Sequence, residues 1–290
     1  EKINQFLYNF YLKILDNLEF HLLGNHLLEN AISLYFGSFY FSDLKFYNTS
    51  RKILSKELSR QILDDGAHFE LSPMYHSIIL YKILDVISLG RQNETENGLA
   101  DLLEHTAKKM LSWLSSVKYD NNSLPNVNDS IDGIAPSLNE IFNYAESLNL
   151  KYNKVNLSSS NFRKFTNNSL ELFMDFGSMG PNYLPGHSHS DTFNFELYLG
   201  EKPYIVDPGI STYDDIEMRN LQRSTIYHNT LVVDNRNQSE LWGQFRVGRR
   251  PSIIDYRESK NSITASHNGY EHIGEFKHLT DYEIYEKLFI

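Results

Sequence analysis

The sequence contains no cysteine, which excludes disulfides and thiolate-held metals but leaves the compartment undetermined. It also lacks any uninterrupted apolar run long enough to span a bilayer. A surplus of positive charge is missing too: 27 Lys and Arg stand against 37 Asp and Glu, a formal net charge of −10. That balance argues against nucleic acid as the main partner, because phosphate binding needs a basic face. The chain begins Glu1-Lys2-Ile3-Asn4, without an initiator Met or a signal peptide, so it is expected to be an internal piece or a processed product. Tryptophan is scarce at two residues, whereas Tyr and Phe number 19 and 18. Such rings fill cores more often than they line sugar-binding clefts, and both uses stay open here.

Local charge differs from the total. Arg219, Arg223, Arg236, Arg246 and Arg249 precede Arg250 within one stretch, so a basic groove in an acidic protein is compatible with the sequence, as are scattered surface arginines.

The chain divides into two kinds of pattern. Residues 1 to about 150 repeat apolar positions at three and four, predicting amphipathic helices over 6–18, 21–40, about 54–63, 74–89, 99–117 and 137–147. A polar, turn-rich stretch over 119–132 interrupts them. From Ser169 the period changes to two, predicting strands over 170–176, 192–199, 204–206, 230–233 and 263–266. The expected organisation is a helical domain over 1–152, a Ser- and Asn-rich linker over 153–168, and a β domain over 169–290. Helices first and strands second point to segregated layers, not βαβ alternation.

Three clusters could carry chemistry. The first is Gly186-His187-Ser188-His189-Ser190-Asp191, followed by Asp207-Pro208-Gly209 and His228-Asn229-Thr230. His189, Asp207 and His228 would supply two nitrogens and a carboxylate oxygen, a donor set that suits zinc. Two histidines at i and i+2 share a side on a strand, but in a turn they diverge. The second cluster is Asn25-His26-Leu27-Leu28-Glu29, where Asn25 and Glu29 lie one helical turn apart; taken alone, it reads as a polar helix patch. The third runs from Asp65 to His76. Ser72-Pro73 is a helix start that puts Tyr75 and His76 in the first turn, and simple capping would explain it.

Taken together, these segments resemble the heparinase II/III-like family of polysaccharide lyases, which includes heparinase II, heparinase III and related alginate lyases. The likeness runs in order from about Asn25 to Arg250, and the His-x-His, Asp-Pro-Gly and His-Asn-Thr succession is its most specific part. It implies a partial (α/α) toroid followed by an antiparallel β-sandwich, with the cleft between them. Family toroids have more helices than this chain shows before Leu150, and family sandwiches continue further, so the chain looks cut at both ends.

The resemblance also implies roles. Asn25 and His26 would neutralise the substrate carboxylate, with Glu29 as a supporting acid. Tyr75 matches the catalytic tyrosine and His187 the catalytic histidine. His189, Asp207 and His228 match the ligands of a mainly structural zinc. Arg223 would bind another acidic group of the glycan or buttress the sheet. The implied partner is an acidic, uronate-containing polysaccharide, met in the periplasm or outside a bacterial cell. Two rivals remain: a catalytically silent glycan-binding or polysaccharide-assembly protein on the same scaffold, and a cupin-like metal enzyme. Glu196 falls too late for the usual cupin ligand.

Overall fold

The computed structural model describes residues 1–93, 97–167, 169–260, 262–274 and 277–283. The last seven residues of the expected β domain lie outside them. Six helices come first: α1 Lys2–Asp16, α2 Gly24–Phe41, α3 Leu44–Gln61, α4 Pro73–Gln92, α5 Asn97–Val117 and α6 Leu138–Ser147. Their starts are written in side chains. Asp43 caps α3 by accepting from Lys45 and Phe46 amides, Ser72 caps α4 ahead of Pro73, and Ser137 with Glu140 forms a capping box on α6. Helices α2 and α3 pack as one pair and α4 and α5 as another, the arrangement of a partial (α/α) toroid.

Strands follow in three antiparallel sheets. β1 (Phe162–Thr166), β2 (Leu170–Asp175), β3 (Phe195–Leu199) and β4 (Lys202–Ile205) form a four-stranded sheet in sequence order. A short helix α7 (Ile216–Gln222) and a 3-10 turn (Thr225–Tyr227) lead to the hairpin of β5 (Leu241–Trp242) and β6 (Arg246–Val247). Finally β7 (Ile253–Glu258), β8 (Ser262–His267) and β9 (His278–Glu283) make a three-stranded sheet.

The four-stranded sheet is covered on both faces, and the period of two assigns each side chain. Phe162, Phe173 and Tyr198 join the core built by the helices. Their neighbours Leu172, Met174 and Phe195 face the other way, onto Ile263 and Ala265 of β8. This sheet therefore cements the helical half to the sandwich.

Two sequence expectations are corrected. The expected linker contains β1, because Phe162 is fully buried against Phe173 and Trp113, which outweighs its Ser- and Asn-rich surroundings. The expected strand over 230–233 does not form. Thr230 spends its hydroxyl on the Thr192 carbonyl, and the chain reverses at Asp234 and Asn235, both left-handed, leaving a lone Val233–Arg236 bridge. Among the described residues no helix is long and apolar enough to cross a membrane.

Candidate active site

Helices α2 and α4 each bring one site residue to the same end of the helical layer, and each is entered through a left-handed leucine. Leu23 has φ 61° and Leu71 φ 56°, a conformation that costs energy for a side chain with Cβ. Gly24 permits the approach that follows. A Cβ there would lie 2.6 Å from the Leu184 Cδ2 methyl and 3.3 Å from Glu70 Oε1, so any other residue would have to displace the Leu184 side chain while holding a positive φ of 52°.

Asn25, Tyr75 and His187 converge. The Tyr75 and His187 rings stack with centroids 4.1 Å apart and planes 8° from parallel. Glu70 joins His187 to Asn25: its Oε2 lies 2.9 Å from His187 Nδ1 and accepts from Asn25 Nδ2 at 3.0 Å. Burial would raise the Glu70 carboxyl, but the His187 hydrogen bond and the nearby imidazoles hold it below its ordinary value. Burial would lower His187, yet its bond to Glu70 raises it, although a fifth of the side chain reaches solvent. Behind them His68 is fully buried, is pushed down to about 4 by desolvation, and hydrogen-bonds Gln61.

The Tyr75 hydroxyl lies 3.0 Å from that of Tyr213, which donates to Asp129 Oδ2 at 3.0 Å. Asp129 is a buried hub. Arg219 grips both its oxygens, and His189 Nε2 lies 2.8 Å from Oδ1. Burial would raise this carboxyl too, but His189 and Arg219 keep it low and therefore ionised. Burial, with Asp129 and Glu70 nearby, raises Tyr75, so its hydroxyl is neutral at physiological pH. The Asp129 backbone also ties the halves together: its carbonyl accepts from the Ser72 hydroxyl and its N–H donates to the His187 carbonyl.

A cavity of about 580 Å3 opens over this cluster, lined by Asn25, His26, Glu70 and His187 together with residues of the β5–β6 hairpin. His26 is mostly exposed, 3.8 Å from Glu19. Two expected site residues lie elsewhere. Glu29 pairs with Lys82 between α2 and α4, off the cavity, because one helical turn carries it past the rim; the acid beneath Asn25 is Glu70. Arg223 is fully buried and donates to the carbonyls of Ser188, Gly243 and Gln244, so it buttresses loops and cannot reach a glycan. Glu70, Asp129, Tyr213 and Arg219 escaped sequence reasoning. Glu70 sat inside a quoted cluster and Arg219 inside the arginine stretch, but nothing marked either from its neighbours.

A second polar cluster is sealed in the β half. Asp191, Asp207 and His228 offer oxygens and a nitrogen within 4.8 Å of one another. His228 Nδ1 faces Asp207 Oδ2 at 2.7 Å while its Nε2 is buried without a partner. His189 repeats the pattern, with Nε2 on Asp129 and Nδ1 buried and unpartnered, its ring 5.1 Å from that of His228. Asp191 Oδ2 is likewise unpartnered. A carboxylate on one ring nitrogen and a bare second nitrogen is how metal-binding histidines are oriented. Burial raises Asp191, and neighbouring Asp207 adds to it, so a cation would relieve the strain of gathering these acids. Asp191, Asp207 and His228 are the donors that gather within reach of one divalent ion; of the expected set His189 stands beside that group and not in it, and Asp207 is already hydrogen-bonded to His228, Asn194 and the Gly209 amide.

Residues 1–154 match the family model described as heparinase II/III N-terminus, and residues 150–287 that of heparinase II/III-like, C-terminal. A heparin-sulfate lyase of Pedobacter heparinus is 26% identical over 256 residues, 74% of this chain and 36% of the relative. One from Bacteroides stercoris is 26% identical over 269 residues, 82% of this chain and 40% of the relative. The chain thus spans well under half the length of these relatives. The crystal structure of a heparinase III superposes with a TM-score of 0.73 at 20% identity, over 97% of this chain and 48% of that one, a likeness of fold.

Proposed function

This chain belongs to the heparinase II/III-like family, and from that premise we propose that it forms the catalytic part of a lyase cutting a uronate-containing acidic polysaccharide by β-elimination. The observation that carries this reading is the Tyr75–His187 stack, in which His187 lines the cavity beside Asn25 and Glu70 and Tyr75 lies against its ring. Heparan-type glycans are the first candidates, by likeness to the heparin-sulfate lyases.

The C5 proton of a uronate is hard to remove because the adjacent carboxylate resists further negative charge. Asn25 spends one amide hydrogen on Glu70 and has a second for that carboxylate; exposed His26 adds another donor. His187 takes the C5 proton as the C4–O4 bond breaks, the electron pair of the C5–H bond forming the C4=C5 double bond. Tyr75, held neutral, is the donor to the departing O4. We assign zinc to the sealed cluster of Asp191, Asp207 and His228, beside His189, where a dication would neutralise buried carboxylates and hold the β half together. The reading also places the protein in the periplasm or outside the cell.

The test follows ultraviolet absorbance of newly formed unsaturated uronate, using the full-length protein on a panel of acidic glycans. Saturated ends would indicate a hydrolase, and binding without product a silent scaffold; either outcome overturns the proposal.

A further inference from the structure

The β5–β6 hairpin lines the same cavity as Asn25 and His187, and its Phe245 lies against Gly186, the neighbour of His187. Its register sets Trp242 directly opposite Arg246, so both side chains stand on one face. The Arg246 guanidinium lies over the Trp242 ring, 4.7 Å from its centroid. Trp242 is 50% exposed, and Arg246, also exposed, has no acidic partner among the described residues. Such a stack fixes the guanidinium plane while leaving its edge of N–H donors open.

The hairpin is held rigid from behind. Buried Arg223 donates to the carbonyls of Gly243 and Gln244 at its turn, and Gln244 Nε2 donates to the Tyr213 carbonyl at 2.7 Å. Phe245 stacks on Tyr213, which connects the turn to the Tyr75 network. Arg250, the other arginine on the cavity, is spent on the carbonyls of Pro181 and Asn182. Arg246 is therefore the cation this wall offers to a ligand.

We propose that Trp242 and Arg246 form a subsite that holds an anionic sugar unit next to the one being cleaved, Trp242 against the sugar face and Arg246 on its oxyanion. This rests on the lyase reading and adds the substrate feature it selects. The oxyanion is a uronate carboxylate or a sulfate ester, chemistries that a planar fork of donors serves equally.

The experiment compares Arg246→Gln, Arg246→Lys and Trp242→Ala with the parent in the full-length protein. Two glycans are used, a sulfated uronate polysaccharide and its fully desulfated form. Both kinetics and binding are read, the latter by affinity electrophoresis on a Tyr75→Phe background. Arg246→Gln is expected to raise KM and Kd about tenfold with kcat within twofold, the size of one charge-assisted contact. Arg246→Lys should recover only part of this, and Trp242→Ala should cost roughly three- to tenfold. An effect confined to the sulfated glycan assigns the group to sulfate; an equal effect on both assigns it to carboxylate. Unchanged KM and Kd, or a fall in kcat alone, overturns the subsite while leaving the lyase standing. If the parent binds glycan but makes no unsaturated product, and Arg246→Gln weakens that binding, the subsite stands and the lyase falls. A parent that binds neither glycan removes both.

Discussion

His187 and His189 are two residues apart, yet they serve clusters of opposite kind. His187 opens on a cavity with its hydrogen bond to Glu70 in place. His189 is sealed, with one nitrogen on Asp129 and the other left bare beside His228. The open cluster reaches solvent at His187 and holds one orphan atom, Asn25 Oδ1; the sealed one holds three, on His189, Asp191 and His228. Buried polar atoms without partners are rare and call for an occupant. Solvent access, more than residue type, separates the proposed place for a sugar from the proposed place for an ion.

Tyr75→Phe should give the largest effect, since it keeps the ring stacked on His187 and removes the hydroxyl with its bond to Tyr213. Unsaturated product should fall about 10²–10⁴-fold while stability changes by no more than about 1 kcal/mol. Cleavage at the parental rate would remove Tyr75 from the chemistry and dissolve the contrast at its open end.

At the sealed end, His228→Ala leaves Asp207 buried without its imidazole. We expect a loss of about 3–5 kcal/mol in unfolding free energy, read by denaturant titration, together with loss of bound zinc by elemental analysis. A variant as stable as the parent, with zinc retained, would show that the sealed atoms do not converge on an ion.

Glu70→Gln sharpens the comparison through pH. The folded-state carboxyl lies below its ordinary value of 4.5, so its stabilisation is complete above that value and fades as pH falls through the lower, folded one. The variant should be less stable by about 1–3 kcal/mol at pH 7, and the gap should close as acid carries the pH below 4.5 and through the lower, folded value. A gap that widens with acid would reverse the assigned charge.

The smallest effect belongs to Glu29→Gln, which removes a half-exposed pair with Lys82. It should change stability by less than about 1 kcal/mol and activity by less than twofold. A large loss of turnover would restore Glu29 to the site from which its position excludes it.

Sequence patterning revealed the helix-then-sheet order, because amphipathic periods of 3.6 and 2 are written locally in α2 to α6 and in β2. The convergence of Asn25, Tyr75 and His187 was legible only through resemblance, since nothing in local spacing says which helix ends meet. Glu70 and Asp129 were out of reach for a related reason. An acid becomes a hub through what folds around it, and Asp129 stands in a turn-rich stretch indistinguishable from an ordinary loop. For Arg223 the sequence left a glycan contact and a buttressing role open, and the three carbonyls that enclose it match the second. β1 was obscured by its Ser- and Asn-rich neighbours.

The Tyr75–Tyr213–Asp129 chain has one more property, which comes from counting hydrogens. Ionised Asp129 can only accept, so the single phenolic hydrogen of Tyr213 is committed to it. The hydrogen between the two tyrosines must then belong to Tyr75, and the chain has a polarity that runs inward from the cavity. At rest Tyr75 turns only lone pairs to an arriving sugar. Swinging its hydrogen outward sacrifices one bond, about 1 kcal/mol, which an alcohol oxygen repays poorly and an oxygen gathering negative charge repays well. On the proposed lyase reading, the latch would hold the proton back until the bond to O4 is already breaking.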